Sequence, residues 1–150
     1  MISVVIDARG GAEALARLLA GLVPAAADGV VREVLVFGAD ARSRDVADDA
    51  GARICADFAG AATAAKGPWL ALLPLGVTVG SDFIAAMATH AQTAEEVAAR
   101  LCVGGGLLGA RTPEGWLAPI GPRTSARPVQ KDFERLARRS GRRLRVLDRR

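Results

Sequence analysis

The sequence predicts an α/β fold, a three-layer sandwich in which helices flank a mostly parallel central sheet. Short apolar segments rich in β-branched residues recur along the chain, and segments with helical spacing or helix-capping residues lie between them. Gly or Pro marks most of the boundaries. Strands that alternate with helices in this way are typical of parallel sheets with crossover helices.

The first elements follow from periodicity. Residues 2–6 are apolar and largely β-branched, as expected of a strand that is buried on both faces. Residues 12–22 carry leucines at helical spacing, and Pro24 is expected to end this helix because a proline removes a backbone donor. Residues 33–37 form the second predicted strand.

The middle of the chain continues the alternation. Ser43 is a candidate N-cap for a helix that Gly51 ends. A short strand at 52–55 and an alanine-rich helix over 58–66 follow. Residues 69–73 are the most hydrophobic predicted strand, and a proline stops them.

The last third is predicted from caps and short apolar runs. Ser81 can cap a helix, and a capping box over 93–96 predicts a further helical piece. Residues 116–117 indicate a short strand or sheet edge. Residues 128–140 are predicted to form a helix with an apolar face, and residues 144–147 a final strand.

Length and composition favour one domain over residues 1–150. The chain is 51% hydrophobic, which is ample for a core, and no apolar run reaches the roughly 18–20 residues that cross a bilayer. The amino terminus lacks the basic region of a secretory signal, so we expect a cytoplasmic protein. Cys55 and Cys102 are therefore expected to be free, buried thiols.

Charge is distributed unevenly. Residues 1–122 carry a net charge of −4, whereas residues 123–150 carry +8, almost all of it from arginine. This basic helix and strand at the carboxyl terminus favour an anionic partner, either a membrane surface or a phosphorylated ligand. The same arginines can equally form a solvated face. Phe133 is the only aromatic residue in the segment, so no nucleic-acid partner is expected. The sequence leaves the oligomeric state open.

Two other features carry little functional weight. Gly104–Gly109 match a G-x-G-x-x-G pattern, but Pro113 follows too closely for the helix that a dinucleotide loop requires, so a glycine-rich strand with a bulge is favoured. His90, the only histidine, has no acid or nucleophile pattern nearby, and a surface position at a helix end is expected. No Cys/His cluster indicates zinc.

The order of several segments carries a family resemblance. These segments are Ile2–Ile6, Glu33–Phe37, Gly51–Ile54, Gly67–Leu73, Asp82–Phe83 and Asp132–Leu136. Together they resemble family 2 glycosyltransferases, enzymes of the glycosyltransferase A fold that transfer a sugar from a nucleotide-sugar donor. The resemblance implies that fold and implies a catalytic base at Asp132, whose position in the first turn of a helix is also favoured by the helix dipole alone.

The sequence departs from the family at the motifs that hold the donor. The first strand leads into Asp7–Gly10 instead of Pro-x-x-Asn, and Asp40 is displaced from the acidic positions that follow the second strand. The Asn-x-Gly segment is reduced to residues 61–65 of alanine and threonine. The metal-binding Asp-x-Asp falls on Pro74–Gly76, which offer no carboxylate.

The resemblance therefore implies a nucleotide-sugar site at Ala8, Arg9, Asp40 and Lys66, with no metal and no cofactor. Arg9 or Lys66 would steady the diphosphate, although Arg9 can equally be an exposed loop residue and Asp40 a capping aspartate. Two hypotheses stay open. One is a glycosyltransferase-like protein with weak, metal-independent or absent activity. The other is a non-catalytic binding or regulatory module that acts with a partner protein or with an anionic membrane surface.

Overall fold

The computed structural model describes residues 1–93, 97–103, 113–119, 130–131, 134–135 and 143–146. The elements in chain order are β1 (Ile2–Asp7), α1 (Ala12–Ala27), β2 (Val31–Phe37), α2 (Ala41–Asp49), β3 (Arg53–Ile54), α3 (Phe58–Ala64), β4 (Trp69–Pro74), α4 (Ser81–Thr93), β5 (Ala99–Val103), β6 (Pro113–Pro119) and β7 (Arg143–Val146).

The described strands form one sheet in the order β3-β2-β1-β4-β6-β5-β7. Strands β3, β2, β1 and β4 are parallel neighbours, β6 runs antiparallel to both β4 and β5, and β7 is parallel to β5. The predicted α/β class with a mostly parallel sheet is therefore confirmed. The single reversed strand, β6, separates the two parallel groups.

Helices cover both faces of the sheet because the strands are apolar on both sides. Helices α1, α2 and α4 pack on one face, where Leu15, Ala47 and Phe83 join the buried residues of the strands. Helix α3 lies on the other face, where Phe58 packs with its ring 6.2 Å from that of Phe37. In the described part of the chain, no helix combines the length and the apolar character that crossing a membrane requires.

Pro24 does not end α1, contrary to the sequence prediction. The helix runs on to Ala27, and the chain leaves it through Gly29, which has a φ of 71°. The apolar stripe explains the extra turn, because Ala25 is fully buried one turn beyond Leu22 and extends the same packed face. The free energy gained by packing this face against the sheet thus exceeds the cost of the backbone hydrogen bond that Pro24 cannot donate.

Helix α2 begins with a different cap from the one predicted. The carboxylate of Asp40 accepts a hydrogen bond from the backbone N–H of Ser43 at 2.8 Å, so Asp40 is the N-cap. Ser43 lies three residues further on and is fully buried, and its Oγ has no hydrogen-bond partner in the described part of the chain. Gly51 follows the helix with a φ of 70°, as its predicted role requires.

His90 is buried, so the predicted surface position was wrong. Its ring packs edge-on against Trp69 of β4 at 5.5 Å, and Nε2 donates to the carbonyl oxygen of Val97 at 2.6 Å. This contact ties the end of α4 to the segment that enters β5. A histidine near a helix end was expected to face water, but the large indole of Trp69 provides an apolar wall for it here.

Some sequence predictions lie outside the described residues. These are the helical piece expected after residue 93, the glycine-rich segment 104–112 and most of the helix predicted over 128–140.

Candidate functional site

The candidate site lies where three parallel strands end side by side. Asp7, the last residue of β1, is level with Phe37 at the end of β2 and with Pro74 at the end of β4. Ligands of open α/β sheets bind beyond the carboxyl ends of the strands, because the loops there leave room between neighbouring connections. This carboxyl edge is therefore the part of the fold in which the predicted site residues should meet.

Asp7 and Arg9 form an ion pair at the centre of this edge. Nε of Arg9 donates to both carboxylate oxygens of Asp7, at 2.8 and 3.1 Å, and one terminal guanidinium nitrogen donates to Oδ2. The side chain of Arg9 is 68% exposed, whereas that of Asp7 is 19% exposed. A positively charged group thus lies on the surface over a half-buried carboxylate.

Each member of the pair favours the charged form of the other. The hydrogen bond from the Arg9 guanidinium lowers the pKa of Asp7, although partial burial opposes this change. The hydrogen bond to Asp7 likewise raises the pKa of Arg9. Both groups are therefore ionised at neutral pH, and among the described residues Asp7 is the only hydrogen-bonding partner of the Arg9 guanidinium.

Gly38 gives Arg9 the space to fold back. It follows β2 with a φ of 69°, and a Cβ atom there would lie 2.8 Å from Cγ of Arg9 and 3.1 Å from Oδ1 of Asp7. Any larger residue would push the arginine away and would also strain the backbone. Sequence reasoning missed the roles of Asp7 and Gly38; the available signal was an aspartate that ends a strand two residues before an arginine.

The structure brings Ala8, Arg9 and Asp40 to the same edge. Ala8 is buried, and its N–H donates to the carbonyl oxygen of Phe37 at 2.8 Å, which joins the loop after β1 to the end of β2. Asp40 lies two residues beyond Gly38 and is exposed. Hydrogen bonding from Ser43 lowers the pKa of Asp40, so its carboxylate caps α2 in the charged form.

Lys66 lies at the opposite edge of the sheet. It precedes β4, and its backbone N–H donates to Oε1 of Glu33 at 2.5 Å, while Gly67 donates to the hydroxyl of Ser3 at 2.8 Å. These residues surround the amino ends of the parallel strands. Because the six residues of β4 separate Lys66 from the carboxyl edge by about 17 Å, its ammonium group does not join Arg9.

The loop after β4 offers no ligand set for a divalent cation. Pro74 and Gly76 are exposed, and Leu75 is directed towards the loop after β1, with its Cδ1 3.1 Å from the position of a Cβ on Gly10. The nearest carboxylate in register is Asp7, which is already bound to Arg9. Since Mg²⁺ and Mn²⁺ require several hard oxygen ligands, the residues that the structure describes at this edge do not fit such an ion.

Asp132 and Cys55 are the remaining predicted residues. Asp132 lies outside the described residues, so its role stays a prediction. Cys55 is a free, half-buried thiol just after β3, and burial raises its pKa. Among the described residues, no group of three or more His, Cys, Asp or Glu side chains is arranged to hold a metal ion.

The sheet order with its single reversed strand among the described strands defines a fold of the glycosyltransferase A type, and solved structures confirm this fold. Glucosyl-3-phosphoglycerate synthase from Mycobacterium tuberculosis, in complex with Mn²⁺, UDP and glucosyl-3-phosphoglycerate, matches with a TM-score of 0.69 and 16% identity over 98% of this chain and 70% of that chain. Its complex with Mn²⁺, UDP-glucose and phosphoglyceric acid matches at 0.70, with the same identity and coverage. A structure of this enzyme described without ligands matches at 0.69 and 16% identity over 100% of this chain and 72% of that chain.

No protein-family model matches the chain, and no curated protein matches it. The likeness to the solved structures therefore establishes the fold, while the activity of this chain has to be argued from its own residues.

Proposed function

We propose that the chain binds the nucleoside diphosphate of a nucleotide sugar at the carboxyl edge of the sheet, beside Arg9, Ala8 and Asp40. The observation that carries this proposal is the exposed guanidinium of Arg9 at the centre of the edge. The structural neighbours with UDP or UDP-glucose in their titles support the choice of ligand. Arginine suits a diphosphate because its planar fork matches phosphate oxygens.

Arg9 would supply the positive charge that a cation supplies in enzymes with carboxylates at this edge. Asp7 holds one side of the guanidinium and leaves the other terminal nitrogen for a phosphate oxygen. A single exposed arginine replaces a divalent ion only in part, and several kcal/mol of transition-state stabilisation would be missing. Since about 1.4 kcal/mol corresponds to a tenfold change in rate, glycosyl transfer is expected to be orders of magnitude slower than with a metal, or absent.

Where transfer does occur, its chemistry is a displacement at the anomeric carbon of the donor. The acceptor hydroxyl oxygen forms a bond to that carbon, and the bond from the carbon to the diphosphate breaks. The nucleoside diphosphate leaves with the electron pair. The hydroxyl proton passes to a base, for which the family resemblance suggests Asp132.

The loop after β4 favours a second candidate function. Pro74, Leu75 and Gly76 give this loop no carboxylate, which suits a protein that keeps the fold and the ligand site without catalysis. Such a binding or regulatory module would act with a partner protein or with an anionic membrane surface, and the charge of +8 on residues 123–150 supports the latter.

Thermal unfolding with nucleotide sugars tests the shared part of both proposals. UDP- or GDP-sugars at millimolar concentration should raise the Tm of the wild type by mass action, with or without Mn²⁺. Arg9→Gln should reduce this rise, and Arg32→Gln, an exposed arginine on β2 near the amino edge, serves as the matched control. The absence of any shift would remove the nucleotide-sugar site.

Donor hydrolysis then separates an enzyme from a binding module. Slow release of nucleoside diphosphate that Asp132→Asn abolishes, and that Asp45→Asn leaves intact, would support the enzyme. Hydrolysis that is equal in the wild type and in Asp132→Asn would take the catalytic role away from Asp132. Donor binding without any turnover would favour the module.

A further inference from the structure

The carboxyl-terminal half of α1 is apolar on every side, although part of it lies at the surface. Residues 18–27 include no polar side chain. Val23 is 63% exposed, and among the described residues it and Met1 are the only large hydrophobic residues that are exposed. Ala20 and Pro24 are exposed on the same helix. A surface helix normally presents polar residues to water, so an apolar face of this kind is typical of one that another surface covers.

A groove lies between this face and α2. It has a volume of about 470 Å³, and its apolar walls include Leu19 and Val23 of α1, Val34 of β2 and Val46 of α2. Asp49 is the one charged residue that lines it among the described residues. Helices α1 and α2 both connect parallel strands, so they run in the same direction and the groove follows their axes. Such a groove between two helices accepts the side chains of a further helix.

Opposite charges lie at the two ends of the α2 side of this groove. Arg42, Val46 and Asp49 are spaced i, i+4 and i+7, so they share one side of the helix, and Arg42 precedes Asp49 by about 10 Å along the axis. Arg42 and Asp49 are exposed, and neither makes a salt bridge or a hydrogen bond with another described residue. No basic residue lies in the last turn of α1 or α2, so the negative end of the groove lacks a local cation.

We propose that the same groove of a second copy of the chain covers this face, in an antiparallel arrangement about a two-fold axis. Antiparallel pairing brings Arg42 opposite the partner's Asp49, and Asp49 opposite the partner's Arg42. The apolar walls around Val23 then meet near the axis. A parallel pairing would instead bring like charges together. The charge pattern favours a second copy as the occupant because it is complementary to itself, which an isologous interface requires.

The size of the face predicts a weak dimer. Helix α1 has 16 residues and is therefore about 24 Å long, and two helices side by side are roughly 20 Å wide. Each copy thus offers a face of on the order of 500 Å², whereas stable interfaces bury about 800 Å² per partner. We therefore expect a dissociation constant in the micromolar range. The proposal does not depend on the nucleotide-sugar site, which lies at the carboxyl edge of the sheet.

Analytical ultracentrifugation of the full chain, from about 2 to about 200 μM, tests the proposal. The wild type should change from monomer to dimer over this range. Val23→Glu puts a charge near the axis and should raise the dissociation constant at least tenfold. Thr63→Glu, at an exposed position of α3 on the other face of the sheet, should dimerise as the wild type does. A wild type that is monomeric throughout, which would leave the face to another occupant, would overturn the proposal.

Charge reversal tests the antiparallel arrangement. Arg42→Asp alone and Asp49→Arg alone should each weaken the dimer by about fivefold or more, because each substitution places like charges opposite one another at both ends. The double variant restores opposite charges and should recover the wild-type affinity to within about threefold. Arg53→Asp, at an exposed position of β3, is the control and should have no effect. Single variants without effect, or a double variant that fails to recover, would contradict this arrangement.

A second variant of the apolar face keeps the test decisive. Should Val23→Glu fail to fold, Ala20→Glu replaces it, because Ala20 is exposed on α1 and glutamate is a good helix former. This variant should also weaken the dimer at least tenfold. A dimer that forms as tightly in Val23→Glu or Ala20→Glu as in the wild type would lie on another surface and would overturn the proposal.

Discussion

Asp7 and Arg9 determine how an anion meets the carboxyl edge. The pair places a positive group on the surface and keeps the aspartate ionised beneath it. A ligand phosphate therefore approaches a guanidinium whose orientation Asp7 has already fixed. The sequence shows both residues, but the ion pair depends on the left-handed turn at Gly38 and on the arginine folding back, which no periodicity predicts.

The pair makes stability depend on pH in a defined direction. Because the pKa of Asp7 is lower in the folded chain than in the unfolded chain, its ionised form stabilises the fold above a pH of about 4, and this contribution is lost as pH falls through the folded value. Asp7→Asn should therefore lower the Tm by roughly 1–3 °C at pH 7 and by less at pH 2.5.

Urea or thermal unfolding at both pH values measures the difference between the wild type and Asp7→Asn. Asp45→Asn, which removes an exposed carboxylate of α2, controls for the loss of one negative charge. If the stability difference between the wild type and Asp7→Asn is the same at both pH values, the pKa of Asp7 does not change on folding, which would contradict this prediction.

Asp40 has two proposed roles, capping α2 and contacting a nucleotide, and two substitutions separate them. As the N-cap of α2 it satisfies the backbone N–H of Ser43, so Asp40→Ala should lower the Tm by about 2–4 °C. Asp40→Ser keeps a capping oxygen without the charge and should recover most of this loss. If Asp40 also contacts a nucleotide, both variants should bind UDP more weakly; unchanged binding would leave it only the capping role.

At the scale of helices and strands, apolar periodicity predicted which elements exist better than it predicted where each one begins and ends. The strand at 69–73 and the helix beginning at Ser81 were found close to their expected positions, because apolar runs and caps signal them directly. The predicted end of α1 was wrong because packing of the helix on the sheet outweighs the tendency of proline to end a helix. The sequence prediction grouped Lys66 with Arg9 because both are basic. Lys66 precedes β4 whereas Arg9 follows the parallel strand β1, so the two residues lie at opposite edges of the sheet.

Pro24 provides a test of this competition. It lies inside α1 on the exposed side, where its ring removes the hydrogen bond to the carbonyl group one turn earlier. Pro24→Ala should raise the free energy of unfolding by about 1–2 kcal/mol, since the recovered helix propensity exceeds the greater freedom of the unfolded chain. Chemical denaturation measures this change. Pro68→Ala, in an exposed loop position, should give no such gain, and a loss of stability in Pro24→Ala would contradict the account.

At the scale of the whole molecule, the alternation of strands and helices was enough to predict the class of fold. The sheet order was not predictable from that pattern, because β6 is reversed between β4 and β5 and brings distant segments together. The candidate site was predicted in part: the loops after β1 and β2 meet as expected. The pairing of β6 with β4 and β5 also depends on register, and single-sequence patterns do not reveal register between distant strands.

The charge asymmetry predicts a salt-dependent contact with anionic surfaces. Residues 123–150 carry +8, so the chain should pellet with vesicles that contain anionic lipid at low salt and should be released at several hundred millimolar salt, as screening shortens the reach of the charges. Neutral vesicles serve as the control. Binding that does not respond to salt, or no binding at all, would contradict an electrostatic membrane contact.

Calorimetric titration of the wild type with UDP, in EDTA and then in Mn²⁺, tests the central claim most directly. The claim is that the carboxyl edge holds a diphosphate through Arg9 without a cation. We expect measurable binding in EDTA, an affinity within about threefold of that value in Mn²⁺, and at least a tenfold loss of affinity in Arg9→Gln. Binding that requires Mn²⁺, or that Arg9→Gln leaves unchanged, would contradict it.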